Sequence, residues 1–135
     1  MTVFDLMDIY YPDKKRTISR LRNMDKKANQ EAENELAYRR EHHIYPQNPF
    51  DMRDWLSEYA YATNNDKENQ RILKKLNELA ADLNADRVLL EIGQNGYPMF
   101  KFRWFPYTMV KSHFELCSAF VAKLVEKAAT NEEFY

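Results

Sequence analysis

Acidic and histidine side chains that could bind a divalent metal lie close together in the middle of the sequence. Asp51, Asp54 and Glu58 share one side of a predicted helix, and His42 and His43 lie shortly before it. Such ligands can hold a metal that activates water, with a histidine as general base. However, Asp51 and Asp54 also fall in the first turns of that helix, where its dipole stabilises negative charge without any function. We therefore predict no metal site, and a metal-dependent enzyme is the third of three hypotheses.

A histidine and the only cysteine stand four residues apart in the last predicted helix. His113 and Cys117 could form a base and a nucleophile, but Cys117 falls in the apolar stripe, where a free cysteine packs as a small hydrophobe. A single cysteine excludes a zinc knuckle. The only glycines, Gly93 and Gly96, are too few for a phosphate-binding loop or a dinucleotide fingerprint. We therefore expect no catalytic residue, no cofactor and no enzymatic activity.

Basic residues are concentrated between residues 14 and 27. On a helix, Arg16, Arg20 and Lys27 share one face. Such a face can neutralise phosphates and bind nucleic acid with a strong salt dependence. The candidate face for nucleic acid or an acidic partner comprises Lys15, Arg16, Arg20, Arg22, Lys26 and Lys27.

Part of this basic segment resembles a DNA-binding motif. Residues 16–23, Arg-Thr-Ile-Ser-Arg-Leu-Arg-Asn, look like the recognition helix of helix-turn-helix repressors, with residues 2–10 as the preceding helix. The segment departs from that family at Leu6, where a small residue is favoured, and at Tyr10 and Tyr11, which replace the turn glycine. The resemblance implies a nucleic-acid-binding regulator, our second hypothesis. The alternative interpretation is a solvated basic face.

Hydrophobic periodicity and capping signals predict five helices. They cover about residues 2–10, 13–43, 48–62, 65–83 and 108–129. Thr2 and Asp5 form a capping box for the first, and Asn65 with Glu68 caps the fourth. The second helix is long and highly charged with a narrow apolar stripe, which predicts a protruding helix or half of a homodimer contact. The stripe of the last helix includes Phe114.

Residues 87–105 alternate between apolar and polar side chains, which predicts one antiparallel β-hairpin. A three-residue loop over 94–96, with Gly96 in the left-handed conformation, places Leu90 opposite Phe100. This register gathers the large apolar side chains on one face of the hairpin. Because a lone hairpin is marginal in water, we expect that face to pack on the fourth and last helices.

The opposite face of the hairpin carries Lys101 and Arg103, which form a candidate rim for a partner. Pro98 lacks a backbone donor, so we expect its strand to be an edge that is open to an added strand. Bases and aromatic rings lie on opposite faces in this register. We therefore predict that the aromatic rings belong to the core.

The composition predicts one compact domain over residues 1–135, of a mainly helical α+β class, with a frayed tail at 130–135. The net charge is −1, so global charge does not favour nucleic acid or membranes. We expect no signal peptide, no membrane span and no membrane partner. The lone cysteine fits a reducing cytoplasm, where we expect the protein to act.

The leading functional hypothesis is a non-enzymatic interaction or regulatory protein that binds another macromolecule, above all a protein. It could also form a homodimer through its long charged helix. Its small size, its many tyrosines and asparagines and the lack of a catalytic motif look like the style of accessory or inhibitor proteins of phages and mobile elements. That likeness identifies no family.

Overall fold

The computed structural model describes residues 1–44 and 56–135, and these residues form five α-helices and one antiparallel sheet. The helices are α1 (Val3–Tyr10), α2 (Lys15–Glu41), α3 (Asp66–Asp82), α4 (Tyr107–Ser112) and α5 (Phe114–Ala129). The strands are β1 (Glu58–Tyr61), β2 (Leu89–Ile92) and β3 (Pro98–Phe102). The predicted mainly helical α+β class is confirmed.

The first two helices follow their sequence signals closely. The Thr2 hydroxyl accepts a hydrogen bond from the Asp5 N–H at 3.3 Å, and the Asp5 carboxylate accepts one from the Thr2 N–H at 2.8 Å. This reciprocal capping box starts α1. The fully buried residues of α2 are Ile18 and Leu21, both near its N-terminal end. Packing therefore anchors α2 through its first turns.

The segment before α3 is a strand, where we predicted the end of a helix. β1 pairs antiparallel with β3, so the prediction of a helix to residue 62 is wrong. Together with the apolar residues before them, Tyr59 and Ala60 fit the spacing of one helix face, and so short a run fits a strand equally well. Alternate residues of β1 are buried, which is the period of a strand. A third strand stabilises a sheet that is marginal as a lone hairpin. The first part of the predicted helix, up to residue 55, lies outside the described residues.

β3 is the central strand of the sheet, whose order is β1-β3-β2. The predicted hairpin register is confirmed, because Leu90 lies opposite Phe100 and Gly96 has a φ of +83°. The prediction that Pro98 marks an edge is wrong, because β1 pairs along that strand. Pro98 is the first residue of β3, and its carbonyl accepts a hydrogen bond from the Ala62 N–H at 3.0 Å. Pro98 therefore lacks only an N–H donor, and its carbonyl still takes part in the hydrogen bonds of the sheet.

A break at His113 divides the last predicted helix into α4 and α5. The backbone there has φ −132° and ψ 38°, which is not helical. The prediction of a continuous helix over 108–129 is therefore wrong at His113. Serine and histidine, which precede α5, are weaker helix formers than the alanine, leucine and lysine common within it. Beyond the break the buried face of α5 begins with Cys117 and Phe120, whereas Phe114 is 57% exposed.

Two asparagine side chains fix the connections around α3. Asn77 accepts a hydrogen bond from the Val88 N–H at 2.8 Å and donates one to the Val88 carbonyl at 3.1 Å. Asn69 is buried, accepts from the Thr63 N–H at 2.9 Å and donates to the Thr63 carbonyl at 2.8 Å. These amides satisfy backbone groups at the ends of β1 and β2.

The core lies between the inner face of the sheet and the helices. α5 packs against β1 and α3, and α3 also contacts β2. The Trp104 ring lies 5.2 Å from that of Phe102 and 6.5 Å from that of Phe120 between centroids. The hairpin thus reaches α3 through β2 and α5 through its aromatic side chains. This agrees with the predicted packing, although β1 now covers much of α5.

The last residues of the chain are attached to the rest of the domain by hydrogen bonds and by the packing of Phe134 on the core. Tyr10 on α1 donates a hydrogen bond to the Phe134 carbonyl at 2.7 Å. The Tyr135 hydroxyl donates to the Asp82 carboxylate at the end of α3 at 3.1 Å. These contacts attach the segment 130–135, which we expected to fray, to two helices.

Candidate functional site

The three strands give the sheet two faces of different character. Towards the core, Ala60 lies opposite Phe100, which lies opposite Leu90. The residues before and after these three on each strand point away from the core, because side chains alternate along a strand. We call this second surface the outer sheet face. Its two rows across the strands are Tyr59, Lys101 and Leu89, then Tyr61, Met99 and Glu91.

Tyrosine rings dominate the outer sheet face at β1. Tyr59 is 41% exposed and Tyr61 is 66% exposed. A groove of about 530 Å³ is lined by Tyr59, Met99 and Glu91 and by residues 92–95. Exposed aromatic rings beside a half-buried thioether are typical of contact surfaces.

The charge on the outer sheet face is largely balanced within it. The Lys101 ammonium lies 3.5 Å from a carboxylate oxygen of Glu91 on the neighbouring strand. Lys101 and Arg103, the predicted partner rim, are both half-buried. Lys101 thus lies beside Tyr59, one of the exposed tyrosines of β1.

Sequence reasoning missed the tyrosines because it assigned their segment to a helix. It placed the bases and the hairpin's aromatic rings on opposite faces, and Phe100 and Phe102 are indeed buried. The third strand then adds a different pair of rings, Tyr59 and Tyr61, to the face that carries Lys101. The alternation Glu-Tyr-Ala-Tyr, followed by the turn residues Thr-Asn-Asn, was the available signal.

Arg22, a member of the predicted basic face, is ion-paired with α1. Its guanidinium lies 2.8 Å from the Asp5 carboxylate and 2.5 Å from that of Asp8, both on α1. The Thr2 N–H and Arg22 together hold the pKa of Asp5 below its usual range. These ion pairs join α2 to α1. Both contacts use one terminal nitrogen of the guanidinium and compensate its positive charge.

The other basic residues of the candidate face are exposed. They are Lys15, Arg16, Arg20, Lys26 and Lys27. Arg16, Arg20 and Lys27 lie on the side of α2 opposite the buried Ile18 and Leu21. None of these three forms an ion pair with any residue that the structure describes. Arg16, Arg20 and Lys27 therefore face solvent, and we call these three residues the α2 stripe.

The candidate metal ligands are not brought together in the part of the chain that the structure describes. Asp51 and Asp54 lie outside the described residues. His42 follows the end of α2, where its ring lies against that of Tyr38 at a tilt of 41°, with centroids 4.2 Å apart. Glu58 points into the core. Among residues 1–44 and 56–135, no cluster of three or more histidine, cysteine or acidic side chains could hold a metal.

Glu58 instead forms a buried acidic site beside the only thiol. Its side chain is on the inner face of β1, it is 2% exposed, and its Oε1 atom has no hydrogen-bond partner. Burial raises its pKa to about 7. Burial, and then the nearby Glu58 carboxyl, raise the pKa of Cys117 to about 12. The Cys117 thiol is therefore protonated at neutral pH, the opposite of what a nucleophile requires.

Comparison with known proteins adds no identity to this geometry. No family model matches the chain, and neither curated proteins nor solved structures include a match. Within 1–44 and 56–135, none of the helices combines the length and apolar character needed to cross a bilayer.

Proposed function

We propose that this chain is a non-enzymatic interaction protein that binds a protein partner through its outer sheet face. The observation that carries the proposal is the exposure of Tyr59 and Tyr61 next to Met99 on adjacent strands. Tyrosine and methionine are enriched in protein interfaces, and tyrosine is frequent among the residues that supply most of the binding energy. Ordering a tyrosine costs little side-chain entropy, because it has only two rotatable angles.

The charge of the outer sheet face favours a protein partner over a polyanion. Lys101 is already paired with Glu91, so this surface offers little uncompensated positive charge. Binding to a phosphate backbone depends on such charge. A neutral, partly apolar protein surface can bury the tyrosine rings without displacing the ion pair. The groove beside Tyr59 would accept one protruding side chain of the partner.

The experiment is a pull-down from native cell extract, with and without nuclease, that compares the wild-type chain with a Tyr59→Thr/Tyr61→Thr variant. Threonine keeps the preference for a strand while it removes the rings. A Tyr38→Ala variant is the matched control, because that tyrosine is also exposed but lies on α2. We expect a protein that resists nuclease, is captured by the wild type and the control, and is lost from the double variant. Capture that is unchanged in the double variant would refute the proposal.

A second candidate function is nucleic-acid binding through the α2 stripe. It is supported by the exposure of Arg16, Arg20 and Lys27 and by their lack of ion pairs with described residues. Each phosphate contact that is lost should reduce the salt dependence of binding by about one unit of slope. We therefore expect Arg16→Ala/Arg20→Ala to reduce that slope by about two if this function is real. Equal duplex binding by the variant and the wild type would exclude it.

We place this activity in the cytoplasm. The single cysteine is buried as a free thiol, which suits a reducing compartment. The long helix α2 remains our candidate surface for a homodimer. An apparent mass that does not change over a wide range of protein concentrations would count against self-association.

A further inference from the structure

The backbone groups of β1 are divided between two directions. The Ala62 N–H donates to the Pro98 carbonyl at 3.0 Å, and this pair continues the register of the ladder between β1 and β3. In an antiparallel ladder, such hydrogen-bonded pairs alternate with pairs that exchange no bonds. The N–H and carbonyl of Ala60 therefore point towards β3. Those of Tyr59 and Tyr61 point the opposite way, towards the edge of the sheet.

The ladder between β2 and β3 has the complementary pattern. The Gly93 N–H donates to the Tyr97 carbonyl at 2.8 Å, in the register of that ladder. By the same alternation the backbone of Met99 bonds to β2, and the residues on either side of it are left to bond to β1. Both ladders therefore assign the outward-pointing backbone groups of β1 to Tyr59 and Tyr61.

Asparagine side chains occupy the next outward-pointing groups at both edges of the sheet. Two residues after Tyr61, the amide of Asn69 bonds both backbone groups of Thr63. At the opposite edge, the amide of Asn77 bonds both backbone groups of Val88, just before β2. An amide side chain offers the same donor and acceptor as a peptide group, so it takes the place of an added strand. Each edge is thus closed at one end by a side chain of α3.

The open part of the β1 edge is formed by Tyr59 and Tyr61. Within the described part of the chain, no residue bonds to their outward N–H and carbonyl groups. The edge of β2 differs, because α3 packs against that strand. A row of unpaired backbone donors and acceptors is a template for pairing with an extended chain. The chemistry of the edge therefore specifies a strand as its occupant.

We propose that the partner pairs with β1 as a fourth strand of the sheet, through an extended segment that hydrogen-bonds to Tyr59 and Tyr61. This inference rests on the proposed function, because it concerns the partner of the outer sheet face. Residues directly opposite one another on paired strands share a face of the sheet. The partner side chains opposite the two tyrosines therefore lie beside their rings and continue the outer sheet face. Apolar or aromatic residues at alternate positions of the segment suit this contact.

The test follows hydrogen exchange at the amides of the full chain by NMR. The probes are peptides selected for binding from a phage-displayed library of random heptapeptides. In the free chain we expect Tyr59 and Tyr61 to exchange at least about tenfold faster than Ala60, whose N–H bonds to β3. A bound peptide should slow exchange at both tyrosines at least about tenfold, because it gives their N–H groups an acceptor.

Replacement of a backbone amide by an ester separates the backbone from the rings. An ester at Tyr61 removes the N–H and keeps the ring, so it should raise the Kd of the peptide about fivefold, the effect of one hydrogen bond. The matched control is an ester at Ile92, which is exposed and whose N–H points to the opposite edge. Each ester weakens one carbonyl that bonds to β3. The control should change the Kd less than about twofold.

Four results would overturn strand addition. The first is slow exchange at Tyr59 and Tyr61 in the free chain, since the edge would then be occupied without a partner. If that protection rises with protein concentration, the occupant is a second copy of this chain. The second is a library that yields no binding peptide, and the third is a bound peptide that leaves both amides unprotected. The fourth is an ester at Tyr61 that binds the peptide as tightly as the wild type.

The Tyr59→Thr/Tyr61→Thr variant separates this inference from the proposed function. If the variant loses the peptide but the peptide does not protect the two amides of the wild type, the outer sheet face remains the contact surface and strand addition is refuted. If the peptide protects these amides and binds the variant as tightly as the wild type, strand addition is supported. That result would instead refute the role of the rings in the proposed function.

Discussion

Tyr59 on β1 lies directly opposite Lys101 on β3, on the side of the sheet that points away from the core. This pairing places an exposed aromatic ring beside a base whose charge is balanced by Glu91. Neither half of the hairpin has this character by itself. The contact surface that we propose therefore exists only because a third strand joins the hairpin.

The buried carboxyl of Glu58 should make the stability of the fold depend on pH. Its pKa is about 7 in the folded chain, against an ordinary value of 4.5. The folded state therefore holds a proton that the unfolded state loses, and the free energy of unfolding falls as the pH rises from about 4.5 to 7. We expect a loss on the order of 2 to 3 kcal/mol, levelling off above that range.

Urea unfolding of Glu58→Gln at several pH values checks this origin. The neutral amide resembles the protonated acid, so the variant should show little change over the same pH range and should be more stable than the wild type at pH of about 8. Glu126→Gln, at an exposed position on α5, is the control and should keep the wild-type pH dependence. A wild type whose stability does not fall over this range would contradict the argument.

Asn77 should contribute strongly to stability for a residue that is half-buried. Asn77→Ala leaves both backbone groups of the buried Val88 without their partner. Each unsatisfied buried group costs about 1–3 kcal/mol, so we expect a loss of about 2 to 4 kcal/mol in the free energy of unfolding. Gln70→Ala, on the exposed side of the same helix, should change it by less than about 0.5 kcal/mol. Chemical denaturation of both variants decides the point, and equal losses would refute it.

Arg22 and Arg16 should differ in their effects, although the sequence placed both on one candidate face. Arg22→Gln removes ion pairs with Asp5 and Asp8 and should cost about 1 kcal/mol at low salt, with a smaller loss at high salt. Arg16→Gln should leave stability unchanged. Thermal unfolding at two salt concentrations measures both. If Arg22→Gln were as stable as the wild type, the ion pairs would contribute nothing to the stability of the contact between the two helices.

The turn should require glycine at position 96 because of its backbone conformation, and not because a side chain there would meet neighbouring atoms. Its φ is +83°, and a Cβ atom built there meets no atom within 4 Å. Gly96→Ala should therefore cost about 1 kcal/mol through backbone strain alone, and Gly96→Asn should cost less, because asparagine tolerates this region. Denaturant unfolding of the two variants gives the comparison. An alanine variant as stable as the wild type would contradict the confirmed turn.

The sequence predicted those elements whose local signals agree with their packing. The Thr2 capping box, the Asn65 cap and the hairpin register with Gly96 were all predictable, because neighbouring residues determine them. Two other elements depend on distant contacts. The strand β1 forms against β3 although its spacing also fits a helix, and such tertiary pairing overrides a weak local pattern. The break at His113 carries no proline or glycine to announce it.

The candidate sites follow the same division. The exposed α2 stripe could be predicted from helical periodicity, which alone separates Arg16 and Arg20 from the buried Ile18. The diversion of Arg22 to α1 could not, because it depends on how the two helices pack. The outer sheet face required the third strand. The exposure of Phe114 could not be predicted either, because the helix break at the preceding residue has no local signal.

The most direct test of the proposed contact surface is photo-crosslinking in living cells. Benzoylphenylalanine would replace Tyr61 on the outer sheet face in one variant and Tyr38 on α2 in another, since both positions are exposed. We predict a discrete crosslinked adduct with a different protein from position 61, and from position 38 no adduct other than one with a second copy of this chain. An adduct with a different protein from position 38 alone, or no such adduct from position 61, would contradict binding through the outer sheet face.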